Sequence, residues 1–288
     1  MNLNETAELR GRIVTALQGD SAQPSIAHGR FSAITSTGRS YLWQGGILWI
    51  GEGQGRTQWH EHHAHQLVIA LRGSFRFRTT ADGAWTDYEA AIVPSECTHQ
   101  FEVVGAATMA HLFVEPETSA GRALTARFGS NAVAELPAAG ARAAARLLSE
   151  ALQSSQLAKD MVEAARLAIA ELCGTETRPD KDMDPRLGRA LDYIRSNIRN
   201  PLSLNDVASA VALSESRFRH LFVAGTGSSF RAYLLWLRIN LAVEAVMSGA
   251  SWTEAAHEAG FADSAHLTRT HKRMFGIEPT ALRPQAPG

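Results

Sequence analysis

The sequence predicts a two-domain α+β protein: an N-terminal β-barrel with helices, then an all-α domain with two helix-turn-helix motifs. Three observations predict it. Residues from about 30 to 115 alternate aromatic and β-branched runs with Gly and Asp turn signals. From about 139 to 172 apolar residues recur at three- and four-residue steps. Beyond a polar stretch at 174–185, one helical pattern occurs twice, about 50 residues apart.

A chain of 288 residues favours two domains over one. Hydrophobic content of 45% and charged content of 20% are those of a globular chain. No apolar run nears the roughly 18 residues that span a bilayer. Met1–Arg10 has no basic start followed by an apolar core, so a cytoplasmic protein with no membrane partner is expected. Cys97 and Cys173 are the two cysteines, with no CxxC spacing, which fits a reducing compartment and argues against a thiolate metal site. From Asp184 onward there are 12 Lys+Arg against 9 Asp+Glu, net +3, within a chain of net charge −1. A mildly basic C-terminal part can meet phosphate.

Tyr41–Ile50 is dense in strand-forming residues. Gln66–Leu71 reads as a strand, Arg72–Ser74 as a turn and Phe75–Thr80 as the return strand. Ala81–Gly83 marks another turn, and Ala90–Pro94 and Thr108–Val114 supply further strands; this spacing suggests a barrel or jelly roll. Leu147, Leu148, Ala151 and Leu152, then Leu157, Met161, Ala164, Ala165 and Ala168, define a helical pair. It either packs on its own barrel or offers a dimerisation face, since small residues let helices approach closely. Gly174–Pro185, polar and with two prolines, reads as a linker between 1–173 and 186–288.

The first helical unit runs from Leu202 to Phe222. Ser203 or Asn205 caps its first helix and Ser214 its second. Phe218, Leu221 and Phe222 face inward, leaving Ser216, Arg217, Arg219 and His220 outward. The second unit runs from Trp252 to Phe275. Ala255, Ala256 and Ala259 pack inward, Gly260 permits the turn, and Asp263 or Ser264 caps the second helix. Leu267, Met274 and Phe275 face the core; His266, Thr268, Arg269 and Lys272 point out. Side chains of these types at an exposed helix start can reach base edges, and Lys or Arg further along can meet phosphates. Two such units suit two successive major grooves.

Within Asp184–Arg283, Gly227-Ser-Ser-Phe-Arg-Ala-Tyr-Leu, Arg238, Gly260-Phe261, Leu267-Thr-Arg and Lys272-Arg-Met-Phe-Gly-Ile-Glu-Pro279 form a signature. It resembles the C-terminal domain of the AraC/XylS family of transcription regulators. The resemblance implies a long helix over about Phe230–Met247. It also implies two base-reading sets: Ser216, Arg217, Arg219 and His220, then Ser264, Ala265, His266, Thr268 and Arg269. The chain departs from the family twice: Ala212 stands where Gly is common, and Ala265 can at most contact a thymine methyl.

Trp59-His-Glu-His-His-Ala-His-Gln66 is the other conspicuous stretch. On an extended strand His60, His62 and Gln66 share one face and His63 and His65 the other. With Pro94-Ser-Glu-Cys-Thr-His99, it resembles the cupin metal motif His-x-His-x3-Glu followed by Pro-x-Gly-x2-His. Gln66 replaces the Glu and Glu96 the Gly. The likeness implies a cupin-like barrel and a possible divalent transition metal on His60, His62 and His99, where imidazole suits Zn, Fe, Ni or Cu. Neutral Gln66 would weaken such a site. The alternatives are histidines that hydrogen-bond an effector, and histidines that only satisfy the core. For a small-molecule effector the candidate contacts are His60, His62, Gln66, His99, Trp49 and His111, with Trp43, Val68 and Ala70 further wall residues by parity.

Together these readings predict a sequence-specific regulator of transcription rather than an enzyme. It would bind double-stranded promoter DNA as a homodimer and answer to a small molecule in the barrel, and activation would also require contact with RNA polymerase. The rival is a metal-binding cupin enzyme or metal sensor with an appended DNA-binding module.

Overall fold

The computed structural model describes residues 33–154, 157–174 and 183–284. Of the expected linker, residues 175–182 lie outside the described residues, as do 1–32 of the expected N-terminal domain.

The strands are β1 (Thr35–Trp43), β2 (Gly46–Arg56), β3 (His65–Arg78), β4 (Thr86–Tyr88), β5 (Ala90–Val93), β6 (Gln100–Val114), β7 (Ala134–Glu135) and β8 (Leu282–Pro284). They form one sheet in the order β7-β5-β3-β6-β2-β1-β8, with β4 beside β3. The pairing is antiparallel except where β8, from the far end of the chain, runs parallel to β1 through Ser36–Leu282 and its neighbours. The aromatic run at 41–50 is therefore two strands, joined by a tight turn that sets Trp43 opposite Gly46.

Arg72–Ser74 does not form the expected turn. β3 runs straight through it, and its pairing with β6 slips at Ala70/Arg72 and Arg72/Ser74. β6 is 15 residues long and offers a partner along the whole of β3, so the Gly-containing segment is absorbed as a bulge instead of reversing the chain.

Alternation gives the sheet two apolar faces. Leu48, Ile50, Leu67, Ile69, Ala90, Ile92, Ala110 and Leu112 point to one. Helices α1 (Ser119–Phe128), α2 (Ala138–Ser154) and α3 (Ala158–Cys173) cover it. Ala141, Ala144, Leu148, Met161, Ala164, Ala165 and Ala168 join that core. The helical pair thus packs on its own sheet, and its small side chains bring the helix backbones close to it. Leu157 and Leu167 remain exposed, at 56% and 46%. The opposite face carries Val68, Phe75, Phe77, Phe101, Val103 and Met109.

The C-terminal helices are α4 (Pro185–Asn197), α5 (Leu204–Ala210), α6 (Glu215–Thr226), α7 (Phe230–Met247), α8 (Trp252–Glu258) and α9 (Ser264–Phe275). α4 opens on Asp184, whose carboxylate accepts from the Arg186 amide, with Pro185 at its first position; Pro is tolerated there because that amide has no helical partner. α5 and α8 start with reciprocal capping boxes, Ser203 with Asp206 and Ser251 with Glu254. α6 and α9 start on Ser214 and Asp263, whose side chains accept from the amides of Arg217 and His266. Both end on a left-handed glycine, Gly227 and Gly276.

Candidate functional site

α6 and α9 present the side chains expected to read bases. Phe218 and Phe222 are fully buried in α6, and Ser216, Arg217, Arg219 and His220 are exposed. Arg219 bonds Glu215 one turn back, at 2.9 Å. In α9, Leu267, Thr270 and Met274 face inward, and Ser264, Ala265 and Arg269 are exposed. Thr268 turns its hydroxyl back to the Ser264 carbonyl at 2.9 Å. The His266 ring packs edge-on to Phe261 at 5.2 Å, and Lys272 pairs with Glu278. Ser264 through Arg269 therefore form the free end of α9.

The other end of α9 is built into the sheet domain. The amide of Gln58 donates to the Gly276 carbonyl at 2.7 Å. Phe275 packs on Phe113 of β6 and Trp236 of α7, at 5.8 and 6.1 Å between ring centres. Beside this contact Glu115, just past β6, accepts from Arg195 of α4 at 2.7 Å and from the Trp236 indole at 3.3 Å. Arg195 also donates to the Tyr233 hydroxyl at 3.1 Å, and His63 pairs with Glu117 at 3.0 Å. Burial pushes the His63 imidazole down, but the Glu117 carboxylate outweighs it and carries the group to about 9. Burial, and then the neighbouring Glu117 charge, raise the Glu115 carboxyl above its usual range.

Between sheet and helices lies a cavity of about 110 Å3. Trp49, His60, Gln66 and His111 of the expected contacts line it, and the C-terminal module adds Asn240, Val243, His271 and Phe275. His62 and His99 of the expected contacts, and Val68, Ala70 and Trp43 of the expected walls, do not line it. Val68 is fully buried against Phe75 and its neighbours, with Ala70 packed at the margin of the same cluster; Trp43 packs on the helix-covered core. The tight turn after Trp43 reverses the chain, so parity counted through it from Trp49 assigns the wrong face.

His60, His62 and His99 come together although the first two precede β3. An isolated bridge pairs His60 with His99, and one ligand nitrogen of each residue lies within 4.8 Å of the others. The three Nδ1 atoms donate to the carbonyls of Gln58 (2.9 Å), Ala64 (2.8 Å) and Cys97 (2.8 Å). A carbonyl can only accept, so Nδ1 carries the proton and, in His60 and His99, Nε2 keeps its lone pair. Burial drives His60 down to about 3 and pushes His62 and His99 below the usual imidazole range, so all three are neutral. His99 Nε2 is buried with no partner. His62 Nε2 lies 2.9 Å from Gln66 Oε1, another acceptor, so it offers a lone pair to a metal only once that oxygen turns away; the Gln66 amide nitrogen donates to His111 Nδ1 at 2.8 Å. His63 and His65 point elsewhere, to Glu117 and to Thr125. Three neutral imidazoles oriented by carbonyls, one with an orphaned lone pair, are a donor set that fits a divalent transition metal.

Reading the sequence missed Glu115, Glu117 and Arg195, and every cavity residue beyond 230. Nothing in the local pattern marks them, because each matters only through a contact between domains.

Residues 207–285 match the family model of a helix-turn-helix domain. Over 111 residues the chain is 31% identical to the regulatory protein PocR of Salmonella typhimurium, covering 38% of this chain and 36% of that protein. Over 113 residues it is 30% identical to the transcriptional activator RhaS of Yersinia pestis, covering 39% and 41%. The match thus spans well under half the length of these curated relatives. Among solved structures, ToxT from Vibrio cholerae O395 bound to (E)-4-(8-methylnaphthalen-1-yl)but-3-enoic acid has a TM-score of 0.51. It covers 86% of this chain and 97% of that one at 9% identity, a likeness of fold.

Proposed function

We propose, from a C-terminal domain that belongs to the AraC/XylS family of helix-turn-helix domains, that this chain is an effector-responsive, sequence-specific regulator of transcription. The observation that carries the reading is α9. Its free end offers Ser264, Ala265, His266 and Arg269 for base contact, and its far end, Phe275, lines the cavity beneath. A small molecule there touches the sheet and a recognition helix at once. It would act by preferring one placement of that helix over another, which couples effector and DNA reciprocally. That a protein of the same fold is bound to an organic small molecule supports a ligand in this one.

The partners follow from this reading: double-stranded promoter DNA in the cytoplasm, and a second copy of the chain for a two-part site. RNA polymerase is a further partner if the protein activates. Leu157 and Leu167, exposed on and beside α3, are the proposed dimer contacts.

The test is selection of random duplexes by the full-length protein at near-physiological salt, followed by sedimentation. Recovery of a motif spanning adjacent major grooves, bound by a dimer, is expected; recovery of no motif under any condition overturns the proposal.

A metal on His60, His62 and His99 is a second reading, favoured by the orphaned His99 Nε2. A bound ion would supply a Lewis acid and a fixed point tying the His60 segment to β6. Equilibrium dialysis with Zn2+ or Co2+ should show one ion per chain, lost in His99→Ala. Gln66→Glu should tighten binding, since a carboxylate is the stronger donor. Equal uptake by wild type and His99→Ala would exclude the site.

A further inference from the structure

The cavity between the sheet and the C-terminal module has a composition that restricts what it can hold. Its walls are mostly apolar: Met109 and Phe101 on the sheet side, Val243 of α7 and Phe275 of α9 on the other. No Lys, Arg, Asp or Glu side chain is among them in the described residues. An ionised ligand would give up its water there and meet no counter-charge, which costs several kcal/mol per ion. Size restricts it further. At about 110 Å3, and open on one side, the space is of the order of the roughly 150 Å3 cavity that admits benzene, so it has room for one ring and not for two fused ones.

One polar group in the wall lacks a partner. Trp49 is 8% exposed, and its indole N–H is buried with no acceptor. The ring lies across β1 where Gly38 leaves room for it; a Cβ on that residue would come within 2.8 Å of the indole. A buried donor left unpaired costs about 1–3 kcal/mol, a deficit that an oxygen on the ligand removes once the ring turns toward it. Opposite, Asn240 of α7 offers an amide.

We infer that the cavity takes an uncharged single-ring molecule carrying one hydrogen-bond acceptor, its oxygen taken by Trp49 and its ring held against Val243 and Phe275. This rests on the reading of the cavity as the effector site and names the effector's class. The ligand is a neutral aromatic ketone, aldehyde or ester, not a carboxylate and not a fused polycycle. Because Val243 and Phe275 belong to the helical module, its burial binds that module to the sheet.

Calorimetric titration of the full chain with acetophenone, toluene, benzoate and 1-acetonaphthone tests this. Acetophenone should bind at least tenfold more tightly than each of the other three. Trp49→Phe, which keeps an aromatic side chain and loses the N–H, should remove the preference for acetophenone over toluene. Val243→Trp, which fills the cavity, should abolish binding of both, with melting curves confirming that each variant is folded. Benzoate binding as tightly as acetophenone, or no neutral ring binding to folded protein, would overturn the inference. DNA affinity measured with and without acetophenone separates it from the reading it rests on. Acetophenone bound in the expected order with unchanged DNA affinity leaves the ligand class standing and removes the coupling.

Discussion

The two helix-turn-helix units share a pattern but differ in what their cores are made of. The first is self-contained: Leu187, Leu191, Val207, Phe218, Phe222 and Tyr233 pack together with no sheet residue among them. The second is not. Its core of Trp236, Ile239, Ala255, Ala256, Leu267 and Met274 takes in Ala64 and Phe113 from the sheet domain. Packed cores transmit displacement because they lack the free volume to absorb it. A shift in the sheet is therefore felt by α9 directly, and by α6 only through α4 and α7. Under the proposed function, the first unit would supply constant affinity and the second would carry regulation.

The buried polar cluster is where both units meet the sheet, and it gives the largest expected effect. Glu115→Ala removes the acceptor of Arg195 and Trp236. Truncating one partner of a buried ion pair typically costs about 3–5 kcal/mol, so the melting temperature should fall steeply. A fall no larger than that of a surface substitution would show that the docking does not depend on this cluster. His63 sets the pH dependence of the same contact. Its pKa is raised in the fold from 6.5 to about 9, so its contribution is complete below about 6.5 and is lost as pH rises through 9. Stability should decline on the alkaline side between pH 7 and 9, and His63→Gln should flatten that decline.

A matched pair of glycines isolates the docking of α9. Both recognition helices end on a left-handed glycine, with φ of 72° at Gly227 and 67° at Gly276. A Cβ on Gly227 meets nothing, whereas on Gly276 it would lie 2.5 Å from the Gln58 carbonyl and 2.6 Å from His60 Nδ1. Gly227→Val should therefore cost only the backbone strain, roughly 1–2 kcal/mol. Gly276→Val adds an overpacking cost of about 1–3 kcal/mol and should blunt the response of DNA binding to effector. Equal losses in the two variants would mean that α9 is no more tied to the sheet than α6.

The proposed base readers give a smaller asymmetry. Arg219→Ala and Arg269→Ala should each cost roughly 1–3 kcal/mol on the selected site and relax preference at one position. Arg219 should sit at the low end, because it must first leave Glu215, to which it bonds at 2.9 Å. Binding curves on the selected duplex and on single-base variants measure both.

The helical module was legible in the sequence nearly to the residue. Its caps, its buried stripes and the span of α7 all follow from local chemistry: Ser214, Asp263 and Ser203 satisfy helix amides within three residues of themselves. The sheet was legible as strands but not in its turns. Gly73 reads equally well as a turn or a bulge until the length of the partner strand is known. The histidines His60, His62 and His99 were legible as a group through their resemblance to a known spacing, although residues 57–64 are mostly not strand and parity was the wrong ground for pairing them. The contacts of Glu115 with Arg195 span 80 residues; no periodicity carries information over that distance.

The turn at Ala212, where the motif that the first unit resembles has glycine, closes the comparison between the units. Glu96 and Ala212 are the two non-glycine residues with positive φ among the described ones, at 58° and 56°. Each holds a backbone shape that glycine adopts more easily. In the second unit the corresponding turn has Gly260 at φ 75°. Ala212 is exposed, so replacing it sacrifices no packing. Relief of left-handed strain, roughly 1–2 kcal/mol, is offset in part by the extra freedom glycine gives the unfolded chain. Ala212→Gly should stabilise the first unit by about 0.5–1 kcal/mol. Gly260→Ala should destabilise the second by somewhat more, because its Cβ also comes within 3.4 Å of Arg238 and the Arg199 carbonyl. Paired denaturant titrations of the full chain measure both changes. If Ala212→Gly lowers stability, the strain at this turn is held by a compensating contact, and the first unit is less independent of its surroundings than its separate core implies.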